Sequence, residues 1–217
     1  MKYSLKRKLL HLFFPTRCPI CGAYIGAMER FCHECEAKLH TYNGRFEIEG
    51  ALSFTAAYEY DSEISPAIFL MKNGIDGNAS YALGCALADR LRSENVTADI
   101  IVPVPMYRRD TIKRGFNQAA LIAKETGRAL GIPVELHALS KKRPTYTQKT
   151  LGKDERAVNL TGAFSADSTA VKGRNVLLID DICTTGSTLR EITAVLKENG
   201  AASVRCACCC KTISRKE

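Results

Sequence analysis

The chain has 217 residues, 46% hydrophobic and 25% charged, with a formal net charge of +8. That length supports one sizeable core plus a small accessory module, and the composition argues against a disordered chain. No apolar run reaches the roughly 18 residues of a membrane helix, so no helical span is expected.

The charge is concentrated. Residues 106–116 (MYRRDTIKRGF) carry net +3 and residues 141–156 (KKRPTYTQKTLGKDER) net +4, and both read as loops. A surplus placed this way suits nucleic acid or an anionic membrane surface, and equally a small polyanion held between two loops.

In chain order, MKYSLKRKLLHLFFPTRC opens with basic residues and an apolar stretch, as a secretory signal does. His11 interrupts the apolar core, and Pro15-Thr16-Arg17 stands where small residues would mark cleavage. The segment reads as a short amphipathic helix of a cytoplasmic protein. Leu5, Leu9, Leu12 and Phe13 are expected to pack on the module that follows. Peripheral docking at the inner face of the membrane is the alternative use of this helix.

That module is Cys18-Pro-Ile-Cys21 and Cys32-His-Glu-Cys35, spaced C-x2-C-x10-C-x2-C. Each C-x2-C pair offers two sulfurs from one tight turn, and two pairs complete a tetrahedron for structural Zn2+. Gly22 suits a knuckle backbone that needs positive φ. Two disulfides are the competing reading, but nothing else in the chain suggests secretion. The expected division is residues 1–44 for helix and zinc module, and 45–217 for the main domain.

Residues 51–60 (ALSFTAAYEY) alternate as a strand or half a hairpin, and Ile64 to Met71 is a short helix stopped by Lys72-Asn73-Gly74. Ser80 to Arg92 places Leu83, Ala86, Leu87 and Leu91 at helical spacing. DIIVPVP (99–105) reads as a buried strand, Asn117 to Leu130 as a helix, and Val134-Glu135-Leu136 as a short strand. Residues 141–160 read as a long polar loop of the kind that serves as a lid or binding loop. The strand VLLID, the helix Ser187 to Asn199 and the strand SVRCACCC complete the chain. The cysteines of RCACCC read as small core hydrophobes of a strand, with redox or metal chemistry as the alternative. Alternating helices and uniformly apolar strands predict an α/β protein, a parallel sheet flanked by helices, with ligands at the carboxyl ends of its strands.

One such end is Val176-Leu-Leu-Ile-Asp-Asp-Ile-Cys-Thr-Thr-Gly-Ser-Thr-Leu189. Thr188 and Glu191 have capping-box spacing, with Ser187 and Thr188 as N-cap hydroxyls. The helix N-terminus, Gly186 and the hydroxyls of Thr184, Thr185, Ser187 and Thr188 make a cradle for a phosphate monoester. Asp180 and Asp181 would repel a bare phosphate but can accept hydrogen bonds from vicinal sugar hydroxyls. A phosphorylated ribose meets both demands.

The segment resembles the motif by which type I phosphoribosyltransferases bind 5-phosphoribosyl 1-pyrophosphate (PRPP). That resemblance implies that Asp180 and Asp181 hold the ribose hydroxyls, and that Thr184, Thr185, Gly186, Ser187 and Thr188 take the 5-phosphate. The family usually has an aliphatic residue where this chain has Cys183.

Together with the paired C-x2-C motifs, PVPMYRRDTIKRGFNQ and RPTYTQKTLGKDERAVNLTGAF, it resembles the ComF family, linked to DNA uptake in natural transformation. The resemblance covers nearly the whole chain. It implies a type I phosphoribosyltransferase fold behind a four-cysteine zinc module, with Mg2+ accompanying PRPP. Val104 and Pro105 would lie at the pyrophosphate with Arg108, Arg109, Arg114, Arg143 and Arg156, whose planar guanidinium groups bridge phosphate oxygens. The expected activity is transfer of phosphoribosyl to a nitrogen acceptor with release of pyrophosphate. The alternative is a non-catalytic, single-stranded-DNA-binding competence factor that keeps the PRPP pocket as a sensor or relic, working with other DNA-uptake proteins.

Overall fold

The computed structural model describes residues 2–74, 77–144 and 162–213. A four-stranded sheet runs β1 (Ser53–Glu59), β6 (Ser203–Lys211), β5 (Asn175–Cys183), β2 (Ile100–Pro103), with every pairing parallel. The two central strands are apolar on both faces because both faces are covered. Leu177, Ile179, Ala207 and Cys209 point to one core with Ile101 and Ala57. Val176, Leu178, Val204, Cys206 and Cys208 point to the other with Ile100, Val102 and Ala56.

The first face is covered by α3 (Ser65–Asn73), α4 (Gly77–Ser93) and α6 (Gln118–Leu130). Leu83, Leu87 and Leu91 of α4 and Ile122 of α6 supply its core, as the helical spacing predicted. The second face is covered by α8 (Ser187–Glu198) through Leu189, Ile192 and Leu196. Beside α8 lies a two-stranded antiparallel sheet, β3 (Leu139–Lys141) with β4 (Phe164–Ala166), followed by the single turn α7 (Ser168–Val171). Burial pushes the Cys206 thiol up to about 12 and raises Cys208 and Cys209 strongly as well, so these cysteines stay protonated and pack as small hydrophobes.

Several elements differ from expectation. Residues 106–116 contain a helix, α5 (Arg108–Arg114), with no buried residue. It lacks the apolar stripe that reveals a helix in sequence, and is held instead by Gly115 at its C-cap and by charges of the favourable sign at each end, Asp110 early and Lys113 and Arg114 late. Residues 134–136 form no strand. Val134 makes one parallel bridge to Ile101, with Ile101 N donating to the Pro133 carbonyl at 2.9 Å and Glu135 N to the Ile101 carbonyl at 2.8 Å. The strand at 53–59 is no hairpin arm but the edge strand beside β6.

The first helix, α1 (Lys2–Phe13), forms as read, but in the opposite orientation. Leu5, Leu9, Leu12 and Phe13 are exposed and do not pack on the cysteine module. The face that carries Tyr3, Arg7 and His11 turns inward. Tyr3 Oη donates to Glu125 Oε1 at 3.0 Å, and Arg7 donates to Asn78 Oδ1 at 2.7 Å and to the Ala27 carbonyl at 3.0 Å. The Arg7 guanidinium also stacks 3.6 Å over the Tyr81 ring.

The cysteine module is built into the first core. Cys18, Ile25 and Phe31 are buried there with Ile64 and Leu83, and Phe31 meets Tyr58 of β1 edge to face at 6.3 Å. Phe31→Ala is therefore expected to cost about 3–5 kcal/mol, read by urea denaturation as one shifted transition for the whole chain. Two separated transitions would show that module and sheet fold independently.

Candidate phosphate and sugar site at the strand ends

Strand β5 runs past the two aspartates to Cys183, which pairs with Lys211 at the end of β6. Asp180 and Asp181 lie within the last turn of pleat, and their carboxylates bend back on the chain. Asp180 Oδ1 accepts from Asp181 N at 2.8 Å, and Asp181 Oδ1 accepts from Ile182 N at 2.7 Å. Burial, then repulsion from Asp181, pushes the Asp180 carboxyl well above the usual range. The other oxygen of Asp181 takes Lys72 Nζ of α3 at 3.1 Å. Burial lowers the pKa of Lys141 of β3, while the charges of Asp110 and Asp180 raise it. The acid pair thus has one lysine in direct contact and feels the charge of a second.

After Cys183 the chain turns through Thr184 and Thr185, both exposed, into Gly186. Gly186 has φ +76°, and a Cβ there would lie 2.6 Å from Ile48 Cδ1 and 3.0 Å from the Phe46 ring. Only glycine fits. The expected capping box does not form. Gly186 itself is the N-cap of α8 and has no side chain to cap with, Thr188 lies inside the helix, and Glu191 accepts from Gly162 N at 3.0 Å. The hydroxyls of Thr185 and Ser187 lie 2.9 Å apart on the rim, with Thr188 one residue on. The first-turn N–H groups of α8 therefore face the loop without a side-chain cap, as an anion cradle requires.

Below the loop sits Lys211, only 6% exposed. Its Nζ donates to the Thr184 and Thr212 carbonyls, each at 2.7 Å, and lies 4.2 Å over the Phe46 ring. Burying a lysine is costly unless its donors are met, so this one acts as a brace for the turn. A hydrogen bond from Cys208, with Lys211 and the Gly186 N–H, lowers the Cys183 thiol.

The neighbouring strand end supplies the second half. Val104 N donates to the Ile179 carbonyl at 2.8 Å, which sets Val104-Pro105 beside the two aspartates. Asn117 Nδ2 holds the Val104 carbonyl at 2.9 Å while its Oδ1 caps α6 by accepting from Ala119 N at 3.0 Å. Phe116, just before, abuts Gly74 at the end of α3, so the helix carrying Lys72 is seated on this segment. Arg108, Arg109 and Arg114 are exposed along α5, and Arg143 is exposed just after β3. Arg156 lies outside the described residues.

The sulfurs of Cys18, Cys21, Cys32 and Cys35 all fall within 4.8 Å of one another, with Cys21 and Cys32 3.6 Å apart. Metal–sulfur bonds of about 2.3 Å in a tetrahedron need sulfurs roughly 3.8 Å apart, so the set fits one Zn2+. Gly22 turns the first knuckle at φ +77°, letting its N–H reach the Cys18 carbonyl at 2.9 Å.

Sequence reasoning missed Lys72, Lys141 and Lys211. Lys72 was visible only as part of a helix stop and Lys141 only as part of a basic loop, while Lys211 lay just past the predicted last strand and was not singled out. Their roles come from helix packing and from the β5–β6 register.

A carboxyl whose folded pKa lies above its unfolded value takes stability away as pH climbs out of the ordinary carboxylate range, because the folded state releases that proton last. Asp180→Asn removes this loss. Its melting temperature should match the wild type near pH 4 and exceed it increasingly toward pH 7. A constant difference across that range would mean that Asp180 does not titrate abnormally.

Residues 113–217 match the phosphoribosyl transferase domain family, and residues 9–46 match the double zinc ribbon domain. The chain is 32% identical over 203 residues to the DNA utilization protein YhgH of Escherichia coli, covering 91% of this chain and 85% of that protein. It is 35% identical over 134 residues to Competence protein F of Haemophilus influenzae, covering 60% and 58%. It is 27% identical over 207 residues to Competence protein ComFC of Bacillus subtilis, covering 93% and 79%. A zinc ribbon folded against a parallel sheet of phosphoribosyltransferase type, in a chain alike over most of its length to these relatives, makes this protein a member of the ComF family.

Proposed function

We propose that this protein binds PRPP at the joined ends of β2 and β5 and acts as a cytoplasmic phosphoribosyltransferase in DNA uptake. The observation that carries the reading is the pairing of two diol-accepting carboxylates with an uncapped helix N-terminus on one short turn. Asp180 and Asp181 hold the ribose hydroxyls. Thr184, Thr185, Ser187, Thr188 and the α8 N–H groups, with the close approach that Gly186 allows, take the 5-phosphate. Val104, Pro105, Arg108, Arg109, Arg114, Arg143 and Arg156 receive the pyrophosphate. The role in DNA uptake is taken from the relatives' names, which speak of DNA utilization and competence.

The electrostatics support this assignment. Two ionised carboxylates would repel a sugar that carries three phosphoryl groups. Burial and the neighbouring Asp181 disfavour charge on Asp180, and Lys72 pairs with Asp181, so both lessen that repulsion. The anomeric carbon is bonded to the carbon bearing the 2-hydroxyl, so a cation on Asp181 also lies near the leaving group. In the reaction, the bond from the anomeric carbon to pyrophosphate oxygen breaks as a bond to nitrogen forms; pyrophosphate departs as the anion and the nitrogen gives up its proton to solvent. Mg2+ arriving with PRPP would neutralise the leaving charge. The arginines and lysines hold the pyrophosphate and stabilise the charge it gains.

A second reading is favoured by α5, whose arginines are all exposed beside Tyr107. Here the protein binds single-stranded DNA through the phosphate backbone, and the sugar pocket is a sensor.

Calorimetry with PRPP and Mg2+ is expected to show binding that falls at least about tenfold in Asp181→Asn, the loss of one charge-assisted hydrogen bond or more. Equal binding by both proteins would reject the site. A screen of bases and amines for pyrophosphate release is expected to find an acceptor. PRPP binding without release for any of them, together with salt-sensitive binding of labelled single-stranded DNA, would support the second reading.

A further inference from the structure

We propose that the outward face of α1 is a docking surface for an anionic lipid bilayer. This stands on the orientation of the helix and is independent of the sugar-phosphate reading.

At about 100° per residue, Tyr3, Arg7 and His11 share one face of the helix. Each is tied inward. Tyr3 and Arg7 make the contacts described above, the Arg128 guanidinium lies 3.5 Å over the Tyr3 ring, and His11 Nδ1 accepts from Thr16 N at 3.0 Å. On the opposite side lie Leu5, Leu9, Leu12 and Phe13, exposed by 58%, 53%, 73% and 78%, and Phe14, just past the helix end, is exposed by 75%. A water-facing helix normally shows the reverse arrangement. Exposed apolar surface of this extent on one helix marks an interaction site.

Charge decides the occupant. Lys6 and Lys8 are both exposed, and they fall roughly 80° to either side of the apolar stripe. There is no acidic residue among the first 28 residues of the chain. An apolar stripe edged on both sides by lysine, on an acid-free segment, is the pattern of a helix lying flat at the headgroup level. The leucines and phenylalanines reach into the acyl region, and the lysine stems extend to the phosphates. A protein partner would need a groove of matching shape and acidic rims, whereas an anionic leaflet offers both features without specific fit. No helix among the described residues is long and apolar enough to cross a membrane, so the contact is peripheral. The inward bonds of Tyr3 and Arg7 hold the helix to α4 and α6, so the folded body would sit against the lipid, not on a tether.

The test is co-sedimentation of the zinc-loaded full chain with vesicles of phosphatidylcholine alone or mixed equally with phosphatidylglycerol. The wild type should bind the anionic vesicles at least about tenfold better than the neutral ones, and high salt should release it. Leu9→Glu/Phe13→Glu and Lys6→Glu/Lys8→Glu should each lose about tenfold or more. Both should keep the wild-type melting temperature and zinc content, since the replaced side chains touch no core. Unchanged binding by either variant would overturn the proposal, as would a wild type that ignores anionic vesicles. So would a dimer in size-exclusion chromatography that Leu9→Glu/Phe13→Glu converts to monomer without loss of lipid binding, which would assign the face to a second copy.

Discussion

Strands β5 and β6 are apolar on both sides, and everything else in the molecule is arranged to keep both sides dry. A parallel pair with two buried faces needs a layer on each, and the chain supplies α3, α4 and α6 on one side and α8 with β4 on the other. The run of cysteines in β6 follows from the same requirement. In the interior strand they alternate between the two buried faces, where a protonated thiol packs as a small hydrophobe. The cysteine module extends the first layer, with Phe31 and Ile25 completing a core that α3 and α4 share. A metal set there would act on the stability of the sheet as well as on its own knuckle.

The same strand that forms the centre of the core ends in the two aspartates, and this location makes their chemistry costly. Asp180 is placed where burial disfavours its charge and where Asp181 disfavours it again. A protein selected for stability alone would have an apolar or amide side chain there. The compensation is spread over distant parts of the chain. Lys72 comes from α3, Lys141 from the small antiparallel sheet, and Lys211 from the last strand, where it holds the turn from below. Such an arrangement of perturbed and paired charge at strand ends is what the proposed binding site rests on. The uncapped start of α8 belongs to the same pattern: Gly186 has no side chain to cap with and Glu191 holds Gly162, so the N–H groups remain directed at the turn.

Much of this was legible from residue order. The spacing within each C-x2-C pair, the strand-to-helix passage through Thr184–Gly186, the stripe of Leu83, Leu87 and Leu91, and the helix that starts at Asn117 each depend on residues close together in the chain. Local geometry dictates them, and local sequence shows them. Helix α5 was hidden because a solvated helix leaves no hydrophobic period. The capping box was misread because the helix begins at Ser187 with Gly186 as its N-cap, so Thr188 lies inside it, and Glu191 is engaged by the Gly162 N–H from elsewhere in the chain.

The sequence by itself determined the fold class, the four-cysteine knuckle and the place of the acid pair, since these follow from short-range spacing and from the apolar content of each strand. Only the tertiary structure decided which cations stand beside the aspartates, what braces the turn, and which way α1 faces. Those outcomes join residues such as Lys72 and Asp181, or Tyr3 and Glu125, that lie more than a hundred positions apart. The orientation of α1 is the sharpest case. Its amphipathic pattern has two faces, and nothing in the periodicity says which one is turned to the protein. Charged and aromatic partners on α4 and α6 settled it, because an arginine stacked on tyrosine and bonded to asparagine holds that face inward and leaves the leucines outside.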